Sequence, residues 1–166
     1  LAAINEMVVI LEEKVIDTEE IIVYAGLMDE TLQRIASSVT VFTKRDITEH
    51  GGEHFHFLTD YIPNFNWTGG TSRPRYFQIR GVGERSHYFG EGPPNFSVGF
   101  VLDDIDLSGL GMAGILHDIE QVEVFKGPQS SVYGPNTMAG LIMLRSTTPQ
   151  DSFESNLTAT YGSDNH

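Results

Sequence analysis

A small α+β domain is what the sequence predicts: a mixed sheet of four to five short strands, short helices and unusually long loops. Three observations point there. Apolar segments of four or five residues recur along the chain, most of them at the two-residue period of a strand. Two short helical patterns, each with a start or stop signal, stand after the first of them. Between the others lie stretches rich in Gly, Pro, Arg and aromatic residues, longer than ordinary connections inside a compact domain. With 166 residues, the chain suits one domain that buries about two thirds of its unfolded surface.

The first 35 residues or so are acidic and surround one apolar stretch, Ile21 to Ala25, so they read as an extended arm. Val39 and Val41, two apart among Thr40 and Phe42, predict a first sheet strand. Thr43 or Asp46 then caps a short helix that Gly51-Gly52 stops. Glu53 to Ile62 predicts a second helix, with Phe55, Leu58 and Ile62 on one face and Pro63 ending it. From Asn64 to Pro94 long loops are expected, interrupted only by a strand at Tyr76 to Arg80 with Phe77 and Ile79 on one side. Val98 to Leu102 and Gln121 to Phe125 alternate, whereas Leu141 to Leu144 is continuously apolar, as a strand buried on both faces is. Ser152 to Tyr161 alternates again and predicts a final strand with no evident partner.

Charge and composition exclude several functions. Lys and Arg total 10 against 23 Asp and Glu, and a net charge of -13 repels a phosphate backbone, so no nucleic acid is expected as a partner. The absence of cysteine removes disulfide scaffolds and thiolate metal sites, and leaves the redox compartment open. Met7 to Leu11 is far shorter than the roughly 18 apolar residues of a membrane helix. The start, Leu1 to Glu6, carries no basic signal-peptide region and reads as a processed or partial beginning.

Signals for catalysis fail individually. His50, His54 and His56 cluster, but Gly51-Gly52 separates the first two and a helix would place the last two on opposite sides, so solvated histidines are expected rather than a zinc site. Asp104, Asp106, Ser108 and Gly109 open like a calcium loop, yet Ile115 stands where the bidentate Glu is required, and a polar hairpin turn is the simpler reading. Dinucleotide, phosphate-loop and nucleophile-elbow motifs are all incomplete. No enzyme, no cofactor and no resident metal are expected.

Six segments, taken in order, resemble one family. They are Glu19 to Ala25, Ser38 to Phe42, Ile79-Arg80-Gly81, Val122 to Pro128, Val132-Tyr133-Gly134 and Ala139 to Ile142. Together they are similar to the plug domain of a TonB-dependent outer-membrane receptor of the iron-complex or siderophore type. Ala159-Thr160-Tyr161-Gly162 resembles the first strand of the receptor's β-barrel, a barrel that is otherwise missing here. The resemblance divides the chain into an arm with a TonB-box-like segment (1–30), the plug (31–149) and the start of the barrel (150–166). Lys126 stands where the family usually has Arg, Tyr24 where Thr is common, and Asp104 where Gly is usual.

The resemblance implies roles for three groups of residues. Glu19, Glu20, Ile21, Ile22, Val23, Tyr24 and Ala25 would bind TonB, driven by its inner-membrane energising complex, by adding a strand to a sheet edge; an ordinary first strand of the domain's own sheet is the alternative. Trp67, Arg73, Arg75, Tyr76, Arg85, His87, Tyr88 and Phe89 would lie on apical loops that form the floor of a small-molecule pocket, although some of these rings would pack on the barrel wall instead. Arg80, Lys126 and Arg145 would face barrel carboxylates; for Arg145 an ordinary surface charge is an equal reading. The implied location is the outer membrane of a Gram-negative bacterium, with the plug inside the barrel and facing the periplasm. The implied cargo is a ferric chelate, although haem, cobalamin and oligosaccharides use the same architecture. A stand-alone periplasmic protein of plug fold, docking with a separately encoded barrel, is the second reading.

Overall fold

The computed structural model describes residues 21–24, 30–50, 53–69, 76–84, 96–110, 114–153, 155 and 157. Its centre is a five-stranded mixed sheet built from β3 (Val39–Thr43), β7 (Val98–Leu102), β8 (Ile105–Asp106), β9 (Ile119–Phe125) and β10 (Gly140–Ser146), in the order β3-β9-β10-β7-β8. β10 runs parallel to β7 and antiparallel to β9, which makes the sheet mixed. Two smaller sheets accompany it. One is the pair β1 (Ile22–Val23) and β2 (Glu30–Thr31); the other joins β4 (Phe65–Thr68), β5 (Tyr76–Ile79) and β6 (Val82–Gly83).

The side-chain period of a strand divides the central sheet into two faces. Val98 and Phe100, Val122 and Val124, and Ile142 and Leu144 face one core with Phe42, Ile47, Phe55, Leu58, Phe65, Phe77 and Ile79. Val101, Phe125, Leu141 and Met143 face the other, under Val23, Leu32, Ile35 and Tyr133. Both faces of β7 and β9 are therefore covered, although their alternation predicts a single buried face. The polar residues that mark the supposed outer face of β9, Gln121 and Glu123, are themselves buried at 8 % and 1 % exposure.

Local chemistry explains the helices. Thr43 Oγ1 accepts from the Asp46 N–H while the Asp46 carboxylate accepts from the Thr43 N–H, a reciprocal cap that starts α1 (Lys44–Glu49). The predicted second helix forms as a 3-10 helix over Phe55–Tyr61, with Phe55, Leu58 and Ile62 buried as expected. Phe55 lies at the middle of an edge-on aromatic cluster, its ring centroid 6.0, 5.7 and 5.9 Å from Phe65, Phe77 and Phe100. Such pairs add about 0.5–1.5 kcal/mol each beyond the area they bury.

Several expectations are corrected. Phe65–Thr68, read as loop, is a strand that pairs antiparallel with β5. The histidines are not simply solvated. His54 is 2 % exposed and extended (φ -145°), so it precedes the helix as its cap, and its Nδ1 lies 3.1 Å from that of His56. His50 packs edge-on against Tyr61. A short helix, α2 (Ser130–Tyr133), was not visible in the pattern. At the C-terminal end the described residues 150–153, 155 and 157 form no strand, and Phe153 and Leu157 are 94 % and 97 % exposed. A strand needs a neighbour to satisfy its backbone, and no described strand lies beside this one. The rest of Ser152 to Tyr161 lies outside the described residues, as do Gly51-Gly52.

Candidate functional site

The segment Ile21–Tyr24 lies across the second face of the central sheet. Val23 enters the core there at 1 % exposure, while Ile22 stays 40 % exposed. β1 pairs with β2 through Ile22 opposite Thr31 and Val23 opposite Glu30, and the Leu32 N–H donates to the Ile21 carbonyl at 2.9 Å. The segment thus belongs to a small sheet of its own rather than to the central one. Two buried side chains of β9 reach its other edge. Gln121 Nε2 donates to the Ile22 carbonyl at 2.8 Å, and Glu123 Oε1 accepts from the Tyr24 N–H at 2.8 Å. Gln121 Nε2 also donates to Glu123 Oε1 at 2.7 Å. The Arg145 guanidinium lies 4.0 Å from the centroid of the Tyr24 ring, a cation–π contact. Glu19, Glu20 and Ala25 lie outside the described residues.

Arg80 and Lys126 meet at another place. A Cβ on Gly140 would stand 2.3 Å from the Phe125 carbonyl oxygen and 2.5 Å from Ile79 Cδ1. The absence of a side chain at Gly140 therefore lets the end of β5 close onto the end of β9, and Arg80 and Lys126 are the next residues of those two strands. Arg80 is exposed, in a left-handed turn (φ 54°). Burial, and then the nearby Arg80 charge, push the Lys126 ammonium below the ordinary lysine value. Lys126 Nζ donates to Thr40 Oγ1 at 3.0 Å. Among the described residues neither cation has a carboxylate within ion-pair distance; the ion pair formed is Arg45 with Glu49, exposed on α1.

Of the loop residues, Trp67 and Tyr76 are described. Trp67 is half-buried against the main core, and Tyr76 is 7 % exposed with its ring stacked 6.1 Å from Phe96. Both rings find a core, contrary to expectation, because β4 and β5 fold back onto the sheet. Arg73, Arg75, Arg85, His87, Tyr88 and Phe89 lie outside the described residues. The Glu84 carboxylate, just after β6, accepts from the Ser97 N–H at 3.1 Å and from Ser97 Oγ at 2.7 Å, just before β7. An open groove of about 200 Å³ between Asp103-Asp104 and Arg145–Pro149 is smaller than a usual small-molecule pocket of roughly 300–1,000 Å³.

Comparison with known proteins decides the family. The family model described as the TonB-dependent receptor plug domain matches residues 31–141. The chain belongs to that family. Among curated proteins, the plug is 26 % identical over 157 residues to the vitamin B12 transporter BtuB of Vibrio vulnificus, covering 92 % of this chain and 24 % of that protein. It is 27 % identical over 143 residues to the ferrioxamine receptor of Yersinia enterocolitica, covering 82 % of this chain and 19 % of that one. The plug thus spans about a quarter of these relatives or less. Among solved structures, the ferric yersiniabactin uptake receptor FyuA of Yersinia pestis shares the fold at a TM-score of 0.59 and 22 % identity, over 70 % of this chain and 18 % of FyuA. The alcaligin outer-membrane receptor FauA of Bordetella pertussis does so at 0.59 and 16 %, over 78 % and 21 %.

Gln121 and Glu123 escape the sequence reading because polar residues at alternate strand positions normally mark a solvated face. The available signal is Phe125, the next residue on that face, which is too large and apolar for a face left to water.

Proposed function

We propose that the plug gates an active transporter of the outer membrane. Cargo binds the apical loops that carry Arg73, Arg75, Arg85, His87, Tyr88 and Phe89. The segment Glu19 to Ala25 adds as a strand to TonB, and force through that contact remodels the plug so that cargo passes the barrel. The match of residues 31–141 to the plug family carries this reading. Relatives named as ferrioxamine receptors support a ferric siderophore as cargo, and the BtuB relative supports metal-chelate cargo more broadly. Arg80 and Lys126, two adjoining cations without a carboxylate among the described residues, support a contact with acidic groups of the barrel wall. The plug itself performs no covalent step.

The test is uptake by cells that depend on the gene product containing this chain. Deletion of Glu19 to Ala25 should abolish accumulation of a radiolabelled ferric siderophore, and the purified receptor should capture the C-terminal domain of TonB only when the segment is present. Unchanged uptake and absent capture together would sink the reading.

A further inference from the structure

We infer that Gln121 and Glu123 act as a clasp that occupies the strand-binding edge of Ile22–Tyr24 and must open before a partner strand can add there. The inference rests on the functional reading above, and the family resemblance gives neither residue a role.

In an extended segment the amide and carbonyl groups of successive residues point to opposite edges. The Ile21 carbonyl is used by Leu32, on the β2 side. The Ile22 carbonyl and the Tyr24 N–H therefore belong to the opposite edge, the one a newly added strand would bond. An adjoining strand satisfies such an i, i+2 pair with one amide donor and one carbonyl acceptor. Here the donor is the Gln121 side-chain amide and the acceptor is the Glu123 carboxylate, at 2.8 Å each. The bond of 2.7 Å between these two side chains fixes their spacing. They take the place of one residue of a parallel strand. A partner strand would have to make the same two bonds, so clasp and partner exclude each other.

Burial makes the arrangement directional. Glu123 at 1 % and Gln121 at 8 % exposure are held in place by the sheet, whereas the segment they hold is anchored by the single core residue Val23, by the Arg145 guanidinium over Tyr24 and, on its far edge, by its pairing with β2. Opening thus moves the segment and leaves β9 in place.

Hydrogen exchange on the intact receptor, with TonB C-terminal-domain binding measured in parallel, tests the clasp. Gln121→Met and Glu123→Met keep approximate volume but remove the donor and the acceptor. Each should speed exchange across Ile22–Tyr24 about five- to tenfold, the effect of one ordinary hydrogen bond, and tighten TonB binding by a similar factor. Glu123→Gln keeps an acceptor oxygen and should behave as wild type. Exchange across β10 should stay unchanged in all three variants. Wild-type exchange in both Met variants would overturn the clasp, as would loss of protection spreading through β10, the mark of a merely structural role. TonB binding by the wild type with no gain in the Met variants would overturn it as well. Failure of the wild-type receptor to bind TonB would instead overturn the functional reading, and with it the purpose given to the clasp.

Discussion

Lys126 shows what a single residue gains from its neighbours. Its folded value is lowered by burial and then by Arg80, so the native state binds fewer protons than the unfolded chain in the range between that value and the ordinary 10.5. Stability therefore rises with pH through that window, the reverse of what a lysine paired with a carboxylate would give. Replacing Arg80 by Ala should move the Lys126 titration upward toward the ordinary value, read from the side-chain Cε or Nζ resonance of the labelled chain. A titration that stays in place would show that the two cations are not adjacent. The positions of both residues are legible in the motifs Ile79-Arg80-Gly81 and Lys126-Gly127-Pro128. Their adjacency is not, because they are separated by much of the domain and meet only where Ile79 and Phe125 close over Gly140.

At the scale of elements, the strands and helices follow local rules closely wherever the rule is local. The Thr43 and Asp46 cap, the buried face of the Phe55–Tyr61 helix and a polar hairpin turn after the Val98 strand are readable in advance, whereas β8 itself is not. In that turn Asp103 and Asp104 both adopt positive φ (45° and 68°), and the Asp103 carboxylate accepts from the Ser146 N–H at 2.8 Å, the polar hairpin expected in place of a calcium loop. β4 leaves little trace in the sequence because Asn66, Trp67 and Thr68 have no strong period and follow Pro63-Asn64; the strand exists because β5 offers it a ladder. Close approach of elements also makes a prediction. Gly140→Ala puts a methyl group against backbone as well as against Ile79, so β5, β9 and β10 must separate. The cost should be about 1–3 kcal/mol, seen as a lower midpoint in urea without a change of slope. An unaltered midpoint would show that the strand ends do not meet there.

For the molecule as a whole, the central question is how the domain is seated. Removing one partner from a buried ion pair costs about 3–5 kcal/mol, so charge reversal at a seating contact is severe. In the intact receptor, Arg80→Glu combined with Lys126→Glu should loosen the plug and admit a large hydrophilic antibiotic, read as increased killing of cells that carry the variant. Arg45→Glu, which affects an exposed helix pair, should leave killing unchanged. Equal sensitivity in the two variants would argue against seating through Arg80 and Lys126. Arg145, for which the resemblance implies the same barrel contact, lies over Tyr24 of the N-terminal segment.

Local sequence sets the class of the domain, four of the five strands of the central sheet together with β5, the Thr43 and Asp46 cap, and the family. Each of these depends on residues close together in the chain, through periodicity, capping and turn chemistry, or on motifs in a set order. Only the tertiary structure decided that the central sheet is covered on both faces and that Gln121 and Glu123 lie beneath Ile22–Tyr24. The reason is physical. Alternation records that a strand has two faces, but whether the second faces water or another layer depends on where a distant segment comes to rest. Here that segment is the arm residues 21–24, placed against β9 nearly a hundred positions later, at a separation of 99.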